Sequence, residues 1–299
     1  MDQIKRIPDN KWTKKYYVHP VFLKSRTENQ SIKYLKNQNY LDFKQISQIL
    51  KINYNKKYPS GYVLKTKNKV VGFLGTLFAK RRINNQNFLF CNVHSWIVNE
   101  AHRVGSHMLF APLIKKKCAI TVLSPLERLC DIFRKMSFNI LNMNYRVVFL
   151  INFFSFLNVN TFEIEKNLLQ IKKKLSNKDW KICQDHSDSS FIKFIIFDKD
   201  KKSNFCFIVS KIIRKKNSFN ILNILYASNG QFIKKNWYSA NNKILKEFKI
   251  LFCGQYFLKE TECALPSNIR FSLNFKKKIC VKNLPIKNKF NTLYSEIIY

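Results

Sequence analysis

Between residues 61 and 138 the apolar positions fall into runs of strand length, broken by two segments with helical spacing. Gly61 to Lys65 and Lys69 to Ala79 are rich in β-branched and aromatic residues, and Lys67-Asn68 between them reads as a hairpin turn. Phe88 to Val98 is a third apolar run. Asn99 and Glu100, polar residues of the kind that begin helices, come next, and Val104 to Ile114 then repeats its apolar positions at helical intervals. Ala119 to Leu123 is a short strand, and Ser124-Pro125 suits the cap and first turn of a second helix. Pro112 conflicts with a first helix drawn as far as Lys117. An interior proline removes a backbone bond at a cost of roughly 3 kcal/mol, so that helix either bends or is shorter.

The flanking pattern is less regular. Residues 1–40 carry Tyr16, Tyr17 and Phe22 around Pro20 and suggest no definite element, whereas Asp42 to Lys51 spaces Phe43, Ile46 and Ile49-Leu50 as a helix does. In the C-terminal half, Phe191 to Phe197, Phe205 to Ile213 and Phe219 to Ala227 are three strand-like runs. Gln231 to Phe248 reads as a helix, and Ile250 to Cys253 as a short strand. The order of the first half, meander then helix then strand, thus recurs in the second. The expected fold is α/β, a mixed sheet flanked by helices, in two domains at 1–150 and 151–299.

Composition changes this picture little. Aromatics at 15% and hydrophobic residues at 46% supply full cores. The net charge of +36 would ordinarily point to nucleic acid or an anionic surface. Yet only 10 of the 54 basic residues are arginine, the side chain better suited to bidentate phosphate and base contacts. Abundant Lys, Asn, Ile and Phe are what an AT-rich coding sequence yields whatever the function. The lysine runs at 115–117, 172–174 and 276–278 read as solvated surface, and no basic-aromatic interleaving marks a nucleic-acid face.

The eight cysteines form no C-x-x-C pair and sit in apolar contexts, as small buried hydrophobes of a reducing cytoplasm do. His94, His102 and His107 lack the spacing of a metal site, so no metal is expected. Val147 to Val159 is the most apolar window. It is too short to span a bilayer and is interrupted by Asn152, Ser155 and Asn158, so it reads as a buried strand or helix joining the two domains, the alternative being peripheral membrane contact together with the lysines. The N-terminus has no apolar core of signal-peptide length, and the expected location is cytoplasmic. Asp185-His186 followed by Asp188 is either a dyad or a turn; the turn reading suits Asp, His, Ser, Asp, Ser better.

Val70-Val-Gly-Phe-Leu-Gly75, Asn92-Val-His-Ser-Trp-Ile-Val98, Arg103 shortly afterwards and Ile132-Phe-Arg-Lys-Met-Ser-Phe138 occur in an order that resembles the GNAT acyltransferase superfamily. The resemblance covers roughly residues 40 to 145 and rests on order and spacing, no one motif being specific. It implies a GNAT-like fold, with a second degenerate GNAT-like domain in the C-terminal half. It also implies transfer of an acyl group from acetyl-CoA or another acyl-CoA to an amine. The family's Arg/Gln-x-x-Gly-x-Gly/Ala loop would correspond to Arg103, Val104, Gly105, Ser106, His107 and Met108, with Ser106 and Met108 at the two glycine positions. A helix N-terminus suits a pyrophosphate. The expected cofactor-binding residues are therefore Trp96, Ile97, Val98, Arg103, Val104, Gly105, Ser106 and His107, with backbone amides of Val104 to His107 on the phosphates.

Acyl transfer needs a base and a proton donor to the thiolate. Strand alternation would set Asn92, His94 and Trp96 on one face, where no carboxylate is available. His94 is then either the base or a structural histidine bonded to a carbonyl. The family's donor tyrosine is replaced by Phe133, leaving Tyr145 as the candidate donor. Three function classes follow: an N-acyltransferase acting on a small amine such as an amino sugar, a GNAT-shaped binding protein without catalysis, and a nucleic-acid-binding module.

Overall fold

The computed structural model describes residues 16–38, 46, 49–50, 57–67, 69–83, 86–149, 161–214, 219–258, 263–267 and 272–284. The chain divides into two compact units. The first takes the described residues up to Ile140 together with 279–284, and the second takes Leu141 to Lys278. The division therefore falls ahead of the boundary drawn at residue 150, and the end of the chain's last described strand returns to the first unit.

In the first unit, β1 (Tyr17–Val21) pairs antiparallel with β2 (Gly61–Thr66), β2 with β3 (Lys69–Ile83), and β3 with β4 (Gln86–Val98). β1 carries Pro20, which an edge strand tolerates because no ladder bond is lost on its open side. The helix Arg26–Lys36 joins β1 to the meander, capped by Ser25, whose side chain accepts from the Glu28 amide. Neither β1 nor this helix is visible in the periodicity of residues 1–40. Of the helix expected over 42–51, Ile46, Ile49 and Leu50 are helical and buried; the rest lies outside the described residues. Tyr34, Leu35, Ile46 and Leu50 cover one face of the sheet through Val21, Val63 and Phe73.

The segment after β4 differs from the single helix read from its periodicity. Glu100–Phe110 is a 3-10 helix, and an α-helix begins only at Ala111 and runs to Lys115. Pro112 therefore sits in a first turn, where its missing N–H costs nothing, and the conflict resolves as a shorter helix. β5 (Ala119–Val122) then lies parallel to β4. A 3-10 turn at Glu127–Leu129 and the α-helix Cys130–Lys135 follow, with Leu126 and Leu129 at their N-cap positions and no side-chain cap, rather than an opening at Ser124-Pro125. Leu109, Phe110, Leu113 and Phe133 cover the other face of the sheet.

The second unit repeats this plan. β7 (Phe162–Glu165) and β8 (Ile192–Asp198) are antiparallel neighbours with the helices Leu168–Lys174 and Asn177–Asp185 between them in sequence. β8, β9 (Phe205–Arg214) and β10 (Asn220–Ala227) form the meander, and β11 (Phe252–Phe257) lies parallel to β10. The expected helix over 231–248 is two helices, Gly230–Lys235 and Trp237–Phe248, packed over Ile208, Leu222 and Ile224.

Each repeat hands its last strand to the other. β6 (Asn139–Phe149), which follows the first repeat, pairs with β11 from Phe252↔Phe149 to Phe257↔Asn144. β12 (Ser272–Lys282), which follows the second, pairs with β5 from Cys280↔Val122 to Lys282↔Ile120. Of the apolar window 147–159, Val147 to Phe149 belong to β6 and 150–160 lie outside the described residues. All eight cysteines are buried and free.

The helix Cys130–Lys135 ends in a Schellman motif. The Phe138 amide donates to Phe133 O at 2.9 Å and the Ser137 amide to Arg134 O at 2.8 Å, while the Phe138 and Phe133 rings meet at 5.2 Å. Ser137 holds φ 61°, the left-handed conformation glycine takes most easily. Ser137→Gly is expected to raise stability by about 0.5–1 kcal/mol, read from the urea midpoint at unchanged slope.

Candidate functional site

The site is built where β4 breaks its pairing on both sides. Against β3 the register passes from Gly75↔His94 to Phe73↔Ile97, so β4 carries an extra residue, and Ser95 there adopts φ 49°. Against β5 the pairing runs from Phe90↔Ala119 to Asn92↔Thr121, while β4 continues to Val98. The two parallel strands are thus joined up to Asn92 and part beyond it.

The bulge reverses the alternation of side chains. Before it, Cys91 and Val93 face the core beneath the 3-10 helix; after it, Trp96 and Val98 do so. Ile97 instead packs with Phe73 on the opposite face. Asn92 and His94, opposite Leu77 and Gly75, share that opposite face. The expectation that Asn92, His94 and Trp96 line one face is corrected accordingly: Trp96 is on the other side. Its ring makes an edge contact with Phe110 at 5.0 Å and lies 5.6 Å from Phe133. Phe133 is 1% exposed, so the position expected to carry a donor tyrosine is part of a closed aromatic cluster.

His94 lies flat on the Gly75 backbone. A Cβ added at Gly75 would fall 2.0 Å from the His94 Cε1, so only glycine leaves room for the ring. Its Nδ1 is 3.1 Å from Ser95 Oγ, which ties the imidazole to the bulge residue instead of to a carbonyl. Burial pushes its pKa down to about 4, because the charged form would lose its hydration. The neutral ring is a hydrogen-bond acceptor at neutral pH, and a weak base.

Beside it, Asn92 is 3% exposed. Its Oδ1 accepts from Thr121 Oγ1 at 3.2 Å across the last strand pair, and its Nδ2 is buried without a partner. Leaving such a donor unpaired costs about 1–3 kcal/mol. Sequence reading noticed Asn92 only as a neighbour of His94 and missed Thr121. The available signal was a polar residue between the apolar Cys91 and Val93. Ser95 gave no signal, since serine does not advertise a left-handed backbone.

The strand-to-helix junction is held from the other side of the unit. The Asn99 amide donates to Val71 O at 2.9 Å, and its side-chain oxygen accepts from Tyr34 Oη at 3.0 Å and Gln38 Nε2 at 3.2 Å, so it does not cap the helix. The amides of Val104 to His107 fall inside the 3-10 helix, where N–H groups bond three residues back, and not at an open first turn. Gly105 is turned inward: a Cβ there would be 2.9 Å from the Tyr16 ring, and its φ is not positive. The amides of Val104 to His107, expected as a backbone cradle, thus do not form an open first turn, and the side chains around them are exposed or half-buried. Arg103 is 68% exposed and pairs with Glu100 at 3.1 Å, and His107 is exposed beside half-buried Ser106.

Tyr145 is on β6, in the second unit, and does not belong to this cluster. It stacks on Tyr256 at 4.1 Å and lies across Gly254, where a Cβ would be 2.3 Å from its hydroxyl, to reach Ile221 of β10. Burial pushes its pKa well above the usual phenol range. Tyr145 thereby lies over the paired stretch of β10 and β11, which runs from Ile221↔Phe252 to Ile224↔Gln255 and is left by β10 at its own bulge between Ile224 and Tyr226. The Asp185–Asp188 stretch is a helix end and turn. His186 is fully buried with Nδ1 2.8 Å from Ile182 O, and Asp188 accepts from the Ser190 amide at 2.7 Å. Among the described residues no group of three or more His, Cys, Asp or Glu is placed to hold a metal ion, and no helix is long and apolar enough to cross a membrane.

No protein-family model matches this sequence, and no curated protein matches it. Solved structures do. A GCN5-related N-acetyltransferase from Anabaena variabilis is similar over 89% of this chain and 72% of its own, with a TM-score of 0.56 at 14% identity. One from Kribbella flavida gives 0.56 at 9% identity, over 89% and 71%. A glucosamine N-acetyltransferase region of a fungal multi-domain GH3 β-N-acetylglucosaminidase gives 0.55 at 9% identity, over 89% of this chain and 38% of that one. The fold is GNAT-like over most of the chain.

His94 ties the site to pH. Its folded pKa is depressed, so between about pH 4 and 6.5 the unfolded chain binds more protons than the folded one. Its contribution is complete above pH 6.5 and is lost as pH falls towards about 4, at a slope approaching about 1.4 kcal/mol per unit. Urea unfolding of His94→Gln across this window is expected to show a shallower acid loss than the parent. Parallel profiles would mean that the imidazole is not held neutral.

Proposed function

We propose that this protein transfers an acyl group from an acyl-CoA to a small amine, and that the first repeat carries the site. The observation that carries this reading is the parting of β4 from β5 beyond Asn92↔Thr121, beside the bulge at Ser95 and ahead of the 3-10 helix. An extended arm with amide groups, such as pantetheine, can pair with the strand edge left along β4, as an added strand would. Trp96, Ile97 and Val98 would supply that edge, and Arg103, Ser106 and His107 the polar groups for phosphates, with Val104 and Gly105 shaping the helix between them. The residues fit an acyl-CoA at the strand edge and by charge at Arg103; the departure from a backbone cradle bears on affinity rather than on the route.

When bound, the thioester supplies an acyl carbon open to attack by an amine. The chain's part is positioning. His94, neutral and fixed on Gly75, accepts a hydrogen bond from an approaching neutral amine and orients its lone pair. The expelled thiolate takes its proton from solvent or from the amine, because Phe133 has none to give. An amino sugar is the acceptor class we favour, in line with the glucosamine N-acetyltransferase region among the structural matches. Phe133 and the weakly basic His94 also favour a second reading, acyl-CoA binding without turnover.

Calorimetric titration with acetyl-CoA at two salt concentrations tests the site, because a protein of net charge +36 attracts any polyanion loosely. Micromolar binding that persists at the higher salt and weakens at least tenfold in Arg103→Glu is expected. Arg103 is exposed, so the variant should fold. Binding that fades with salt, or is indifferent to this reversal, would contradict the reading. An acetyl-transfer assay with glucosamine then separates turnover from binding alone.

A further inference from the structure

We infer that Asn92 is a specificity-determining residue, selecting short acyl groups over long alkyl chains; this rests on the acyl-CoA reading above. Asn92 stands at the last position where β4 and β5 are paired, the closed end of the opening between them. A chain laid along β4 from the helix side meets Val98 first and Asn92 last, so the atoms that reach Asn92 are those at the acyl end. The side chain is 3% exposed, with its Oδ1 engaged by Thr121 and its Nδ2 buried and unpartnered.

An amide nitrogen so placed requires an oxygen. The thioester carbonyl of a short acyl group can reach it at the closed end; in a longer chain the methylenes beyond the carbonyl meet the paired strands at Asn92↔Thr121 first and hold that carbonyl back from the amide. Sites built to bond a polar group discriminate strongly against ligands that leave it unpaired, far more than apolar pockets discriminate by size. Leu77, opposite Asn92 on β3, and Phe90 are apolar, and Arg81, 4.4 Å over the Phe90 ring, has only donors, so none of these side chains relieves the amide. Asn92 carries no charge and belongs to no ion pair, which makes the selection independent of salt.

The full-length protein would be titrated with free CoA, acetyl-CoA and octanoyl-CoA at fixed salt, alongside Asn92→Leu and Asn92→Ala. The ratio of acetyl-CoA to octanoyl-CoA affinity is the readout. In the parent, acetyl-CoA should bind at least tenfold more tightly. In Asn92→Leu the ratio should fall to near one or invert, and Asn92→Ala should move it the same way should the leucine variant fail to fold. Equal affinities in the parent, or a ratio unchanged in a folded variant, would overturn the role of Asn92 while leaving acyl-CoA binding intact. Failure of the parent to bind any of the three would overturn the acyl-CoA reading, and this inference with it.

Discussion

The left-handed turn of Ser95 is the constraint on which the site depends. One extra residue in β4 shifts its register on β3, and every side chain beyond changes face. Trp96 is thereby delivered to the aromatic cluster with Phe110 and Phe133, while His94 remains on the opposite face. Gly75 follows from the same event, because the imidazole beside the bulge lies where any Cβ on β3 would be. A straight β4 would have kept its neighbours paired and its face uniform. The bulge instead ends the regular ladder at the point where β5 is released.

The chain has few glycines, and their placement shows how the fold manages with them. None of the six takes a positive φ, while among the described residues seven others do: Lys24, Lys67, Ser95, Lys117, Ser137, Lys249 and Asn283. Left-handed positions at the hairpin turn, at helix ends and at the bulge are thus filled by lysine, serine and asparagine, at a cost of roughly 1–2 kcal/mol each. Gly75, Gly105 and Gly254 serve where another ring presses on the backbone: His94, Tyr16 and Tyr145 in turn. The composition that obscures function through its charge therefore also displaces the usual glycine signals.

This explains what could be read from sequence. Strands β2 to β5 and β8 to β11 announce themselves through apolar runs, and the recurrence of their order gave the repeat. Pro112 correctly marked trouble in a long helix. The bulge was hidden because a serine at φ 49° leaves no trace in the pattern, and strict alternation then assigned Trp96 to the wrong face. The exchange of β6 and β12 was hidden for another reason. A buried strand shows the same apolar pattern whichever repeat it pairs with, so Tyr145 could not be assigned to the second unit from its neighbours in sequence.

The two repeats share a plan but differ in what packs beside the paired parallel strands. Both have a bulged strand that outruns its parallel partner, β4 beyond Asn92↔Thr121 and β10 beyond Ile224↔Gln255, but only in the second does a tyrosine, Tyr145, lie across the paired stretch, over Gly254 to Ile221. Amide hydrogen exchange of the full-length protein with and without CoA tests this difference directly. The account predicts that ligand slows exchange at Val93 to Val98 on β4 and leaves Ile221 to Ala227 on β10 unchanged. Protection confined to β10, or none along β4, would contradict it.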